Sequence, residues 1–318
     1  MRRFTGFVLM TVASLMMVSA ARAQTSVGPR RPAAVPADYV VTPFGYFHPS
    51  CVNHLAKGDE ILQDAKVIQH EDGTSQPIPV CAYPHFRADG EKVIGDERAV
   101  KRPDISYAWV EWASVTTTSS YAYLYSFWNV PPAPAFTDGQ TVYLFNGLED
   151  IDDVVTIVQP VLGWNADFSN SYGIASWNCC VSGTVVEATP VPVNSGDLIY
   201  GYMFATCPAG TLSCSTWDVV TLDLTTQHES ELLFTPNFGQ TFNWAFGGVM
   251  EVYSILQCGD YPSGYSGTAP SIHFYNQGLF NDKFVQIKAP AWQIGVTSGL
   301  TPACGYGGSL PKEVILTY

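Results

Sequence analysis

From residue 105 to the C-terminus, the chain alternates between short apolar segments and clusters of turn-forming residues. The segments are six to thirteen residues long and rich in Val, Ile, Tyr, Phe and Trp, which is typical of β-strands. Pro, Gly, Asn and Asp separate them, and no long amphipathic helix pattern occurs. About a dozen strands without an internal repeat predict an all-β fold, a two-sheet antiparallel β-sandwich. The predicted strands are residues 106–115, 120–130, 141–149, 154–164, 172–181, 184–191, 197–207, 215–226, 230–236, 243–255, 271–276, 283–289 and 313–318.

Two of these segments each carry an amide or carboxylate side chain with apolar residues on both sides. Residues 154–164, VVTIVQPVLGW, predict a strand that is buried on both sides, with Gln159 in its middle. Residues 243–255 carry Glu251, whose neighbours of the same parity are Val249 and Tyr253. A buried amide or carboxylate is costly unless it is hydrogen-bonded. Each of the two side chains is therefore either satisfied by neighbouring groups or directed into a functional cleft.

The N-terminus has the pattern of a secretory signal peptide. Arg2 and Arg3 precede an apolar run over residues 4–18, and Ala21-Arg22-Ala23 forms a small-x-small cleavage signal, so residues 1–23 are the expected signal peptide. The apolar run is too short to span a bilayer, and no later run approaches the roughly 20 apolar residues that a membrane helix needs. The sequence therefore predicts a secreted or periplasmic protein without a membrane anchor after cleavage.

Charge divides the remaining chain near residue 105. Residues 24–105 contain nine basic and eleven acidic residues, a net charge of −2, whereas residues 106–318 contain three basic and seventeen acidic ones, a net charge of −14. This break predicts a propeptide or accessory region over 24–105, followed by a catalytic domain over 106–318. A domain with so few cations repels itself near neutral pH and is suited to acid, where its carboxylates are protonated. It lacks the cations that neutralise phosphates, so no nucleic-acid partner is expected.

The chain has eight cysteines, and an even number in an exported protein predicts disulfides. The pairs that we expect are Cys51–Cys81, Cys207–Cys214 and Cys258–Cys304. The sequence assigns no partner to the adjacent Cys179 and Cys180. Zinc binding is the competing interpretation, but no CxxC pair is followed by histidine ligands. We therefore expect neither a metal nor a cofactor.

Serine-hydrolase and phosphate-binding chemistry is weakly supported by the sequence. There is no G-x-S-x-G motif. The region after residue 105 has only two histidines, His228 in a polar turn and His273 in an apolar segment, which does not favour a Ser-His-Asp site. Glycine-rich phosphate-binding motifs are absent as well. What remains is the chemistry of amides and carboxylates.

Several segments over residues 121–318 resemble, in order, those of the glutamic peptidases called eqolisins. SFWNVPPAP resembles the family's entry strand, TVYLFNGLED the strand of type WVGIDG, and VVTIVQPVLGW the strand of type AILQTGV. YGIASWNCC resembles the AWYEWYP strand, VPVNSGDLIYGYM the ISAGDXI segment, NWAFGGVMEVYSI the AEWIVE strand, and EVILTY the closing strand. The chain departs from the family at Phe145, where Trp is frequent, at Ser176, where the family has Glu, and in the glutamate strand, which lacks Trp-Ile-Val.

The resemblance implies a concanavalin A-like jelly roll and a secreted endopeptidase that acts in acid. It places Gln159 on the catalytic glutamine and Glu251 on the catalytic glutamate. In these roles Glu251 would activate a water for attack on a peptide carbonyl, and the Gln159 amide would stabilise the oxyanion. Glu149, Asp150 and Trp177 would shape the cleft or orient the dyad. The implied partner is a polypeptide substrate, and we expect a monomer.

Two other functions compete with this one. A carbohydrate-active sandwich, either a glycosidase or a lectin, could pair Glu251 with Glu187 or Asp197 and stack sugars on exposed aromatic rings. A secreted adhesin or structural module is the third interpretation. The peptidase interpretation adds one expectation of its own. Charge attraction between residues 24–105 and the acidic domain, strong near neutrality and weak in acid, predicts a zymogen that matures in acid by cleavage around residues 95–110.

Overall fold

The structure is a computed structural model that describes residues 31–62, 67–93, 108–152, 155–181 and 183–318, without the side chains of residues 180 and 181. The predicted signal peptide and most of the predicted cleavage zone lie outside the described residues. The described chain contains 23 strands, β1 to β23, and two 3-10 turns at Pro49–Cys51 and Cys258–Asp260. None of its helices is long and apolar enough to cross a membrane.

Residues after 108 form the two large sheets of a β-sandwich. Their strands, which alternate between turn clusters as the sequence predicts, are β9 (Trp109–Thr116), β10 (Tyr121–Asn129), β11 (Thr141–Glu149), β12 (Ile157–Trp164), β13 (Tyr172–Val181), β14 (Thr184–Ala188), β15 (Val191–Val193), β16 (Leu198–Ala205), β17 (Thr216–Asp223), β18 (His228–Pro236), β19 (Trp244–Tyr253), β20 (Ser271–Asn281), β21 (Gln293–Val296), β22 (Gly307–Ser309) and β23 (Val314–Thr317).

The N-terminal segment, residues 31–93, adds eight short strands. They are β1 (Val40–Thr42), β2 (Gly45–Phe47), β3 (Val52–Leu55), β4 (Glu60–Leu62), β5 (Val67–Gln69), β6 (Ser75–Pro77), β7 (His85–Phe86) and β8 (Lys92–Val93). Strands β1, β2, β7 and β8 form a separate four-stranded sheet, whereas β3 and β4 to β6 extend the two large sheets. The segment is thus built into the sandwich by backbone hydrogen bonds.

The two large sheets are almost entirely antiparallel. One has ten strands in the order β22-β23-β20-β10-β16-β17-β18-β4-β5-β6. The other has nine, β21-β9-β19-β11-β12-β13-β14-β3, with β15 paired to β13. Only the two strands of the N-terminal segment at the joins, β3 on β14 and β4 on β18, run parallel to their neighbours. The predicted two-sheet antiparallel sandwich is confirmed.

Apolar side chains pack on both faces of the nine-stranded sheet. On β12, Val158 and Leu162 belong to the core between the two large sheets, whereas Ile157 and Val161 belong to a second cluster that includes Phe47 of the N-terminal segment. We call this second side of the nine-stranded sheet the outer face. Burial on both faces explains why β12 is apolar at every position except Gln159, as in sheets that are covered on both sides.

After residue 105, one predicted strand is wrong, the predicted strand 184–191 is divided into β14 and β15, and two short strands were not predicted. Residues 283–289 form no strand; they follow a turn in which the Asn281 side chain accepts the backbone N–H groups of Lys283 and Val285. A single bridge, Phe280 to Gln286, is the only ladder contact described there. Strands β21 and β22 are short and rich in Gly, so their sequences carry no strong apolar pattern.

The three predicted disulfides are confirmed. They are Cys51–Cys81, Cys207–Cys214 and Cys258–Cys304. Cys179 is also disulfide-bonded, and the side chain of Cys180 lies outside the described set. The first of these bonds closes a loop within the N-terminal segment, and the other two lie in the sandwich.

Candidate functional site

Gln159 lies on the outer face of the nine-stranded sheet. It stands between Ile157 and Val161, which both pack in the outer-face cluster, and side chains of one parity share one face of a strand. Its side chain is 0 % exposed, and neither its amide oxygen nor its amide nitrogen has a hydrogen-bond partner. An unsatisfied buried amide costs about 1–3 kcal/mol. Gln159 therefore lowers the stability of the fold.

Glu251 lies on the same face, on β19. Its carboxylate accepts two hydrogen bonds, from Trp109 Nε1 to Oε2 at 2.9 Å and from the Tyr253 hydroxyl to Oε1 at 2.5 Å. The residue is 2 % exposed, and burial raises the pKa of its carboxyl to about 8, although both hydrogen bonds act in the opposite direction. In the described form Glu251 is therefore protonated at neutral pH and satisfied by its neighbours.

The strand register separates Gln159 from Glu251. Glu251 is opposite Tyr143 on β11, and Tyr143 is opposite Gly163 on β12, four residues beyond Gln159. Strands lie about 4.8 Å apart and rise about 3.4 Å per residue, so the two Cα atoms are roughly 16 Å apart. The side chains share a face, but the partners of Glu251 hold its carboxyl toward Trp109 and Tyr253. That they act on one carbonyl stays a prediction.

Glu149 lies closer to Gln159 than Glu251 does. It ends strand β11 opposite Ile157, whose side chain lies on the outer face, and Gln159 is two residues further along β12. Glu149 is 6 % exposed and its Oε2 has no hydrogen-bond partner. Burial, and then the charge of Asp150, raise the pKa of the Glu149 carboxyl to about 8. The family resemblance gave Glu149 only the role of shaping the cleft or orienting the dyad.

Asp150 fixes the loop that follows β11. Its Oδ1 accepts the backbone N–H of Asp152 at 3.0 Å, and its Oδ2 accepts that of Thr241 at 2.8 Å. Both carboxylate oxygens are thus engaged by backbone, which is the arrangement of a residue that holds a turn. Asp150 positions the end of β11 and, through it, Glu149.

Trp177 and Glu187 are in register with Gln159 on the next two strands of the sheet. The register places Gln159 opposite Trp177 on β13, and Trp177 opposite Glu187 on β14. Glu187 is 1 % exposed, and burial raises the pKa of its carboxyl to about 8. Asp167, at the solvent side of the turn after β12, lies beside it, and desolvation together with the Glu187 charge raises the pKa of Asp167. His54 of the N-terminal segment contacts Glu187 through Nδ1 and Oε2 at 3.0 Å.

The N-terminal segment covers this face. The ring of Tyr46 packs edge-on against Tyr253 at 5.4 Å between centroids, and the Tyr143 hydroxyl donates to the Val41 carbonyl oxygen at 3.1 Å. Phe44 packs against Trp177 at 6.5 Å. The cover explains the raised pKa values, because it removes water from the carboxyls beneath it.

The sequence did not point to two residues of this face. Asp167 is in a polar turn, where acids are common, and it reaches the face only because the turn folds back over the sheet. His54 comes from the N-terminal segment, and its contact depends on the pairing of β3 with β14. Both contacts depend on long-range pairing that no local pattern encodes.

No protein-family model and no curated protein matches the chain. It is similar to two structures of scytalido-glutamic peptidase, one with a peptide-based transition-state analogue (15 % identity, TM-score 0.46) and one with a transition-state analogue inhibitor (16 %, 0.45). It is also similar to SCP-B, a member of the eqolisin family of peptidases, in a complex with the tripeptide Ala-Ile-His (16 %, 0.44). Each match covers 66 % of this chain and 98 % of the other. Identities and TM-scores this low do not assign a chemistry to this chain.

Proposed function

We propose that this protein is an exported glutamic-type peptidase that hydrolyses peptide bonds of polypeptides on the outer face of its nine-stranded sheet, under acid conditions. The observation that carries the proposal is the Gln159 amide, which is fully buried, has no partner, and shares its face with carboxyls. Such a group destabilises the fold and has no structural role. A role in chemistry accounts for its presence.

The proposed reaction needs an amide donor and a carboxylate. The Gln159 N–H donates to the oxyanion that forms when water attacks the peptide carbonyl, and one such donor is typically worth about 3 kcal/mol. A neutral amide keeps its donor at every pH, which suits work in acid. A glutamate of the outer face accepts the proton of the water and returns it to the leaving amine. The family resemblance assigns this second role to Glu251.

The N-terminal segment is proposed to keep the enzyme latent. Its four-stranded sheet occupies the face where a substrate would bind, with Tyr46 and Phe44 in contact with residues of the candidate site. A peptide could reach Gln159 only after this segment moves or is removed. This arrangement supports the interpretation of residues 24–105 as a pro-region.

The experiment compares the full mature chain with the chain after its N-terminal segment has been cleaved. Both are incubated with unfolded casein between pH 3 and pH 9 in the presence of pepstatin, and the mass of the enzyme is followed. We expect cleavage after loss of the segment, and a loss of at least a hundredfold in kcat in Gln159→Ala without unfolding. Absence of cleavage by either form at every pH, or full activity of Gln159→Ala, would contradict the proposal.

A carbohydrate-binding role is the second candidate, favoured by the solvent-facing side of the ten-stranded sheet. Tyr123, Tyr125, Phe127, Tyr200 and Tyr202 lie there side by side and partly exposed, with neighbouring centroids 4.7–6.2 Å apart. Partly exposed rings with polar tips are typical of binding surfaces. Pull-down on insoluble polysaccharides tests this role, with a Phe127→Ala/Tyr202→Ala variant expected to lose binding and retention in that variant counting against it.

A further inference from the structure

We propose that Glu149, rather than Glu251, is the carboxylate that activates water beside Gln159. The inference rests on the proposed peptidase function and assigns its general base. It replaces the residue that the family resemblance indicates by one that the strand register brings next to the amide.

Glu149 lies next to Gln159 on the outer face. Strand β11 pairs with β12 through Leu148 and Val158, and through Glu149 and Ile157. Glu149 and Gln159 are therefore diagonal neighbours on one face, with Cα atoms about 7–8 Å apart. Continuing the register puts Gly147 opposite Gln159, and this glycine has no side chain to separate them.

On the β19 side of Gln159, the residue in register with it is not acidic. Gly147 pairs with Phe246 on that strand, so an aromatic ring lies there instead of a carboxyl. On the other side, Trp177 stands between Gln159 and Glu187. Among the described carboxyls of the outer face, Glu149 is the one whose register position makes it a direct neighbour of the amide.

The hydrogen bonding of Glu149 also differs from that of Glu251. A general base must hold a water on a free oxygen. Glu149 Oε2 is buried without a partner, whereas both oxygens of Glu251 accept hydrogen bonds from ring or phenol donors. Gln159 lacks partners at both amide atoms. Neither of these two neighbouring groups is engaged by the other, so both are free to bind a third group during the reaction, first a water and then the substrate carbonyl.

The chemistry balances with these two residues alone. The Glu149 carboxylate takes a proton from water as the water oxygen bonds to the carbonyl carbon, and the carbonyl π pair moves to its oxygen, where Gln159 donates its N–H. The protonated Glu149 then gives the proton to the amide nitrogen as the C–N bond breaks. An acid and an amine leave, and the carboxylate is restored. The two backbone N–H groups that bind Asp150 keep the end of β11 in place during these steps.

Protonation of Glu149 would keep the enzyme latent while its carboxyl is buried. In the described form, burial raises the pKa of the Glu149 carboxyl to about 8, so at neutral pH it is a poor proton acceptor. Removal of the segment admits water, which lowers the pKa of Glu149 toward the ordinary range of a glutamate. The acidic limb of the pH–rate profile of the opened enzyme should then report Glu149.

The test uses Glu149→Gln, Glu149→Asp, Glu251→Gln and, as a matched control on the opposite sheet, Glu231→Gln, all in the full mature chain opened by limited proteolysis. We expect Glu149→Gln to lower kcat by 10²–10⁴ with little change in KM. The acidic limb of the pH profile should shift in Glu149→Asp, and Glu251→Gln should lose far less activity than Glu149→Gln. The control should keep wild-type kinetics.

Near-ultraviolet circular dichroism checks that each variant is folded. Activity of Glu149→Gln within threefold of wild type, with Glu251→Gln inactive, would overturn the assignment and leave the proposed function standing. A wild-type chain that cleaves no polypeptide at any pH before or after opening would overturn the proposed function, and this assignment with it.

Discussion

Gln140 and Gln159 are both 0 % exposed, yet their surroundings differ. The Gln140 amide donates to the carbonyl oxygens of Phe136 and Asp260 at 2.6 and 3.0 Å and accepts from the Asp138 backbone N–H at 2.8 Å. Gln159 has no partner at either atom. Gln140 is thus a structural residue, and the contrast makes the two side chains an internal control for each other.

Substitution by leucine should have opposite effects at these two positions. Gln159→Leu removes an unsatisfied buried amide and should raise the free energy of unfolding by about 1–2 kcal/mol, whereas Gln140→Leu leaves its former partners unpaired and should lower it by about 1–3 kcal/mol. Urea unfolding of the full mature chain measures both. Equal losses at the two positions would mean that Gln159 is satisfied in solution and is not held for chemistry.

The sequence singled out Gln159 as a candidate residue, but it could not predict the distance between Gln159 and Glu251. Gln159 is the one polar side chain of a strand buried on both sides, so its importance could be inferred from composition alone. Its distance from Glu251 depends on how β11 aligns with β12 and β19, and on a bulge between Phe145 and Gly147. Register of this kind is set by long-range packing.

At the scale of elements, the sequence predicted strands best where they are long and buried. Residues 141–149 and 172–181 coincide with β11 and β13 because turn residues bound both of them. The apolar run of residues 154–164 also predicted a strand buried on both sides, and β12 has a layer on each face, since a strand with one face in water alternates instead. The N-terminal segment is that additional layer.

The N-terminal segment, residues 31–93, covers the outer face, and we call it the cover. Its stability should depend strongly on the disulfide Cys51–Cys81. Cys51 and Cys81 are 30 residues apart, so loss of their bond is expected to cost about 3.6 kcal/mol in the chain-entropy model, against about 2.4 kcal/mol for the seven-residue separation of Cys207 and Cys214. Hydrogen exchange and urea unfolding of the two double Cys→Ser variants compare these losses. We expect faster exchange in β2 and β3 for the first pair only. A larger effect of the second pair on β2 would contradict this order.

At the scale of the whole molecule, two effects of pH on the cover oppose each other. The charge imbalance between residues 24–105 and the acidic domain predicts attraction near neutrality and release in acid. The described contacts of this kind are few: Lys57 bonds Glu229 at 2.7 Å on the surface, where such pairs contribute about 0–1 kcal/mol. The contacts over the outer face are made mainly by rings, with His54 on Glu187 as the one described ionisable pair, above carboxyls whose pKa burial raises.

The buried carboxyls should therefore decide whether the N-terminal segment binds the outer face more tightly in acid or near neutral pH. Glu149, Glu187 and Glu251 have pKa values raised from the ordinary 4.5 to about 8 in the covered form, so this form binds more protons than an opened one. Its stability is then complete below pH 4.5 and falls as pH rises from 4.5 toward 8, by at most about 1.4 kcal/mol per pH unit for each carboxyl. We expect the cover to loosen toward neutral and alkaline pH, against the expectation from net charge. Activity in acid would then require cleavage of the N-terminal segment rather than its reversible opening.

Hydrogen exchange in β2, corrected for its intrinsic pH dependence, measures this opening between pH 4 and pH 9 in the full mature chain. Protection should decrease as pH rises, and Glu251→Gln should flatten the decrease because one of the three titrating groups is gone. The Glu313→Gln variant, beside β23 at the end of the ten-stranded sheet away from β4, should keep the wild-type slope. If protection instead increases with pH, the attraction between the basic segment and the acidic domain governs the cover, and activation in acid follows from charge after all.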